Sequence, residues 1–197
     1  MVRCFLRQTG IPFLLAVAII ALLVSSQPSP ALAFTQAARS ELGLRYGYGQ
    51  TCTAQETLHF NSILPRWGFF LTEANNPFLG RLRLSLVLEG LVGSITDHNR
   101  GWDIGITPLL KLSYPFGRVL GYIEGGAGMV WENIDSPSYA HTFHFSPQIG
   151  VGFDINLVGG YALSVAYRFR HTSNAGLYEE NPAVNSNFII IGLTYYY

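Results

Sequence analysis

Beyond residue 34 the chain alternates apolar and polar positions with a period of two, the spacing that sorts side chains onto the two faces of a β-strand. In 81–89, Leu82, Leu84, Leu86 and Leu88 share one face, and Arg81, Arg83, Ser85 and Glu89 share the other. Through 142–155 the same parity sets Phe143, Phe145, Ile149, Val151, Phe153 and Ile155 against Thr142, His144, Ser146, Gln148 and Asp154. In 41–50, Leu42, Leu44, Tyr46 and Tyr48 oppose Arg45 and glycines; in 101–114, Trp102, Ile104, Ile106, Leu110, Leu112 and Tyr114 oppose Asp103, Thr107, Lys111 and Ser113. Segments 57–66, the weakest in pattern, 118–131, 161–173 and 185–197 complete a set of about eight strands. Between them stand turn formers such as Asn75-Asn76-Pro77, Pro115-Phe116-Gly117 and Val158-Gly159-Gly160.

A soluble β-sandwich would alternate too, so other features must decide. Several runs exceed the 5–6 residues usual in soluble sheets and match or exceed the roughly 9–11 that cross a bilayer at a tilt. Arg45, Arg81, Arg83, Glu89, Asp103, Lys111, Glu124, Asp154, Arg168 and Arg170 all fall on the polar face. In a membrane barrel that face lines the lumen, where mixed signs can pair. The predicted fold is therefore all-β, an eight-stranded antiparallel transmembrane β-barrel with a packed polar interior and no pore. Counting back by two from the C-terminus gives Tyr197, Tyr195, Leu193, Ile191 and Ile189. This ending resembles the C-terminal signature of bacterial outer-membrane barrels, the strand expected to engage the barrel assembly machinery. Trp67, Trp102 and Trp131 read as girdle anchors near strand ends.

Composition fits this picture. Charged residues make up only 12% of the chain and hydrophobic ones 49%, against about 25% charged in soluble domains. The formal charge is zero, with 11 of the 12 basic residues Arg and one Lys, so nothing points to nucleic acid as a partner. At the N-terminus, Arg3 and Arg7 precede an apolar run over 11–24, and Ala31-Leu32-Ala33 follows. The expectation is a secretory signal peptide over 1–33, cleaved before Phe34, with 34–197 as the barrel domain. The run is shorter than the roughly 20 residues a spanning helix needs. Cys4 leaves with the signal, Cys52 remains, and no disulfide framework is expected.

The candidate chemistry breaks the sorting of polar from apolar. Continuing the parity of Tyr161, Leu163, Val165, Tyr167 and Phe169 brings His171 and Ser173 onto the outward, lipid-facing side. Polar groups there are costly, least so at the interface, so the pair is either an exposed strand end or a site for a lipid substrate. Two residues apart on one strand, an imidazole can reach a hydroxyl and activate it as a nucleophile. Counted back from Tyr197, Asn185 is also outward, and an adjacent antiparallel strand would bring it beside His171. Asn174, Gly176 and Asn181 offer N–H groups of the kind that build an oxyanion hole.

At His171-x-Ser173-Asn174-Ala175-Gly176, followed by Asn181 and Asn185, the chain resembles the outer-membrane lipid A 3-O-deacylases, the PagL-like acyloxyacyl hydrolases. Lesser likeness lies in 124–128 and 148–153. The resemblance implies a serine esterase of the bacterial outer membrane that removes the 3-O-linked acyl chain of lipid A, or of a related glycolipid. Ser173 would be its nucleophile, His171 its base and acid, and Asn181 with the Gly176 amide its oxyanion donors. Asn174 would support the loop or that hole, and no metal or other cofactor is implied. Asn185 stands where these deacylases have the triad Glu. An amide can still hold the imidazole but brings no negative charge, and in the serine-protease template the equivalent exchange costs about 10⁴ in kcat. The alternative is a non-catalytic structural or adhesion barrel. Glu179 and Glu180 read as solvated loop residues, His59, His98 and His141 as loop or interface residues, and His144 as inward. Arg66 and Arg100 are weaker candidates for lipid phosphates.

Overall fold

In the computed structural model, residues 37–52, 57–74, 76, 79–96, 101–134, 142–178 and 183–197 are described. The expected signal segment, His98, Arg100, His141, Glu179, Glu180 and Asn181 lie outside them. Eight strands follow in chain order: β1 (Ser40–Thr51), β2 (His59–Phe70), β3 (Arg83–Thr96), β4 (Gly101–Phe116), β5 (Val119–Ile134), β6 (Phe143–Asn156), β7 (Tyr161–Thr172) and β8 (Val184–Tyr196). Each pairs antiparallel with its chain neighbours, and β8 pairs with β1 to close a barrel. Closure gives every strand a hydrogen-bonded partner on both sides and leaves no edge strand, which is what a sheet in hydrocarbon requires.

The start of β1 and the end of β8 lie at one end, the terminal end, where the Arg39 and Ser40 amides donate to the Tyr197 carbonyl at 2.7 and 2.8 Å. The turn at Gly117-Arg118 is at this terminal end, and the connection after β7 is at the opposite, loop end. Side chains alternate across the wall as their sequence parity requires. Leu42, Leu44, Leu110, Ile123, Ile149, Ile191 and Leu193 are exposed on the outside, with Trp67, Trp102 and Trp131 toward the strand ends.

Inside, the scarce charges are buried and joined. Lys111 Nζ reaches Glu41 at 2.9 Å and Asp154 at 3.1 Å, and Arg45 meets Asp154 at 3.3 Å. Arg66 contacts Glu41 at 3.1 Å, Glu124 at 3.0 Å and Glu89 at 3.4 Å. Arg168 binds the same two glutamates, Glu89 and Glu124. Four cations and four carboxylates thus form one connected network. Arg170 pairs separately with Asp103 at 3.1 Å. Gly152 leaves room for the Tyr122 ring, a space that a Cβ would fill, and the Tyr122 hydroxyl accepts from Arg45 at 2.8 Å.

Three expectations need correction. Arg66 is a lumen cation rather than a lipid-phosphate contact, because β2 runs on to Phe70 and its parity turns Arg66 inward. Arg81 lies outside β3 and is exposed, its guanidinium 5.4 Å from the centroid of the Tyr114 ring. The interior is not wholly polar either. Leu58, Phe60, Ile95, Ile134 and Phe188 pack together as part of an apolar core. The Arg170 guanidinium lies 4.7 Å from the Phe60 ring centroid and 4.6 Å from that of Phe188, joining the ion pairs to this apolar layer. His144 is buried inside, as its parity predicts.

Candidate active site

The hairpin of β7 and β8 carries the outward polar residues. Its register places His171 directly opposite Asn185. Their side chains meet, His171 Nδ1 lying 2.7 Å from Asn185 Oδ1. That oxygen can accept a proton from Nδ1, which in the neutral ring leaves Nε2 as the acceptor a general base needs. Ser173 follows two positions later on the same face, about 6.5–7 Å along the strand. It lies one residue past the end of β7 but is anchored to β6: its amide donates to the Phe145 carbonyl at 3.0 Å, and its carbonyl accepts from the Phe145 amide at 2.7 Å. The backbone of the candidate nucleophile is therefore fixed by a bridge that the sequence pattern does not reveal.

After Ser173 the chain turns sharply. Asn174 is fully buried; its Oδ1 accepts the Gly176 amide at 2.8 Å, and its Nδ2 donates to the Tyr178 carbonyl at 3.4 Å. Leu177 N donates to the Asn174 carbonyl at 3.1 Å. The turn needs two consecutive left-handed residues, Ala175 at φ 52° and Gly176 at φ 83°. Glycine adopts that region freely, whereas alanine is there at a cost. Asn174 is thus the clamp of the loop, and the Gly176 amide is engaged by it. On the β8 side, the Cys52 amide donates to the Asn185 carbonyl at 2.8 Å, tying the start of β8 to the end of β1.

One neighbour escaped the sequence reading. Asn187, the next outward position on β8, is almost wholly covered and accepts a 2.7 Å hydrogen bond from the Tyr167 hydroxyl. The parity that flagged Asn185 points equally to Asn187.

The geometry can be set beside known proteins. The family model of lipid A 3-O-deacylase (PagL) matches residues 42–194. The chain belongs to the lipid A 3-O-deacylase family. Among solved structures, the outer-membrane enzyme PagL is similar at 17% identity and a TM-score of 0.57, covering 76% of this chain and 97% of that one. Neisserial surface protein A (NspA) aligns at 10% identity and a TM-score of 0.58, over 80% and 97%. Ail, the attachment invasion locus protein of Yersinia pestis, aligns at 10% and 0.54, over 81% and 99%. At such identities these likenesses establish the barrel fold. No curated protein sequence matches. As a member of the deacylase family with an outer-membrane barrel fold, the protein belongs in the bacterial outer membrane.

Proposed function

We propose that the protein is a serine esterase that removes the 3-O-linked acyl chain from lipid A or a closely related glycolipid. The observation that carries this reading is the His171–Asn185 hydrogen bond, made on the outward side of the wall two residues from Ser173. Ser173 Oγ attacks the ester carbonyl carbon while its proton passes to His171 Nε2. The tetrahedral intermediate collapses, the bond from carbon to the sugar oxygen breaks, and Nε2 returns the proton to that oxygen. Water then repeats the sequence on the acyl-enzyme and releases the fatty acid.

Asn185 holds the imidazole, its Oδ1 accepting from Nδ1. Asn181 supplies the developing oxyanion with a side-chain donor, and the Gly176 amide joins it only by leaving Asn174 Oδ1. The family match supports the ester class, and the position of the hairpin at the loop end supports a substrate in the leaflet that these loops face.

Mass spectrometry of lipid A from cells expressing the protein tests this. Where the host lipid A carries a 3-O-linked hydroxyacyl chain, the expected result is loss of that chain, abolished by Ser173→Ala or His171→Ala. An unchanged lipid profile from a folded barrel overturns the proposal. It would favour a non-catalytic structural or adhesion role, for which Asn185 in place of a carboxylate is the supporting observation.

A further inference from the structure

The outward positions nearest the loop end differ between the two sides of the barrel. On β4, β5 and β6 they are Trp102, Ile104, Trp131, Phe143 and Phe145, with Asn133 as the polar member. On β7 and β8 they are the residues of the candidate active site and Asn187. Beyond them, on β1, β2 and β3, they are Tyr48, Gln50, His59, Asn61, Ser94 and Thr96. The register makes these a continuous surface: Asn187 stands opposite Gln50, Gln50 opposite His59, and His59 opposite Thr96. One row lower, Tyr48 stands opposite Asn61, and Asn61 opposite Ser94. The side chains are knitted together. The Tyr48 hydroxyl is 2.8 Å from His59 Nδ1, the Tyr46 hydroxyl donates to Asn61 Oδ1 at 2.6 Å, and Asn61 Nδ2 donates to Thr96 Oγ1 at 3.5 Å.

An ordinary interfacial girdle would distribute aromatic and polar residues around the whole wall. Here polarity is concentrated in one sector, and that sector runs into the His171–Asn185 pair. Its chemistry is also selective. It offers hydroxyls, carboxamides and an imidazole beside tyrosine rings, while Lys and Arg do not occur among the described outward positions of β7, β8, β1, β2 and β3. A phosphate would call for guanidinium or ammonium groups. Neutral donors and acceptors beside aromatic faces suit the hydroxyl and amide groups of a sugar.

We propose that this sector is the seat of the sugar headgroup of a glycolipid, bound through uncharged hydroxyl and amide contacts rather than through phosphate. The seat deepens the esterase reading by placing the sugar that carries the ester beside Ser173, and rests on that reading only for the bond that is cut.

Native mass spectrometry of the detergent-solubilised Ser173→Ala barrel tests the seat without turnover. The probes are lipid A, the same lipid A stripped of its phosphates, and phosphatidylglycerol. Both lipid A forms are expected to be retained alike, and phosphatidylglycerol about tenfold more weakly. Adding Tyr48→Phe, His59→Phe and Asn61→Val should weaken lipid A retention about tenfold and leave phosphatidylglycerol unchanged. Tyr48→Phe alone removes one oxygen and keeps the ring, so it serves if the multiple variant fails to fold; about a threefold loss is expected. Undiminished lipid A retention by the folded variants overturns the seat, as does loss of retention when the phosphates are removed. The esterase reading fails separately: lipid A held through this sector but never cleaved by the unaltered protein sinks the hydrolysis and leaves the seat. Cleavage by a protein whose retention ignores these substitutions does the reverse.

Discussion

At the scale of single residues, the proposed activity turns on what faces His171 Nδ1. Asn185 Oδ1 at 2.7 Å can fix the ring, but an amide can also turn its NH₂ toward Nδ1, and that rotamer would move the ring proton to Nε2 and silence the base. A carboxylate can only accept, and it also stabilises the imidazolium that forms during attack. Asn185→Glu is therefore expected to raise kcat for lipid A deacylation, by up to about 10⁴ on the serine-protease precedent. Asn185→Leu should lower it by at least about tenfold, since the ring loses its orienting partner. Rates for both variants that equal the unaltered protein's would remove Asn185 from the mechanism. A second residue-scale expectation concerns Asn174, whose buried amide spans Gly176 and Tyr178. Asn174→Ala should leave the strands intact, open the loop to limited proteolysis, and reduce activity by misplacing the segment after Ser173. Alternation along the sequence was enough to put His171, Ser173 and Asn185 on one outward face. The resemblance implies a loop-supporting Asn174, and its bonds to Gly176 and Tyr178 fit that role; the form of the turn was not legible, because it depends on a left-handed backbone at Ala175, which the identity of that residue does not foretell.

At the scale of the strand, parity transmitted most of the fold because one face meets lipid and the other a crowded lumen. It was weakest for β2, where Leu64 and Phe60 face inward and Pro65 and Gly68 interrupt the outward and inward rows. Apolar residues on both faces erase the alternation, so the pattern ends the strand at Arg66 and leaves that residue as a candidate for a lipid phosphate. Its true setting is the balanced network in which Arg66 and Arg168 together neutralise Glu89 and Glu124. Removing one cation leaves an uncompensated carboxylate in a buried interior. Arg168→Met is expected to destabilise the barrel by about 3–5 kcal/mol, measured by urea unfolding in lipid vesicles. Adding Glu89→Gln restores neutrality and should recover a substantial part of that loss. If the double variant is as unstable as the sum of two independent losses, the network is not a coupled unit.

At the scale of the whole molecule, low charge content and high hydrophobicity are two sides of one arrangement, with the charges inside and an apolar band around the outside. The polar sector of β8, β1, β2 and β3 is tolerated because it lies at the loop end, where water and headgroups begin, and not at mid-depth. Leu44 lies near the middle of β1 and is 59% exposed on the outer face, whereas Asn61 lies two residues from the loop end of β2 on the same face. An arginine at Leu44 must hold its guanidinium near the bilayer midplane, while one at Asn61 reaches the interface directly. Leu44→Arg is expected to cost about 2–4 kcal/mol of folding free energy in vesicles, and Asn61→Arg about 0–1 kcal/mol. Equal costs at the two positions would mean that Asn61 is immersed as deeply as Leu44. The polar sector would then sit in hydrocarbon, too deep to meet a headgroup. A cost at Asn61 small enough to leave the fold intact puts the sector, and with it His171 and Ser173, at the depth where an ester next to a sugar lies.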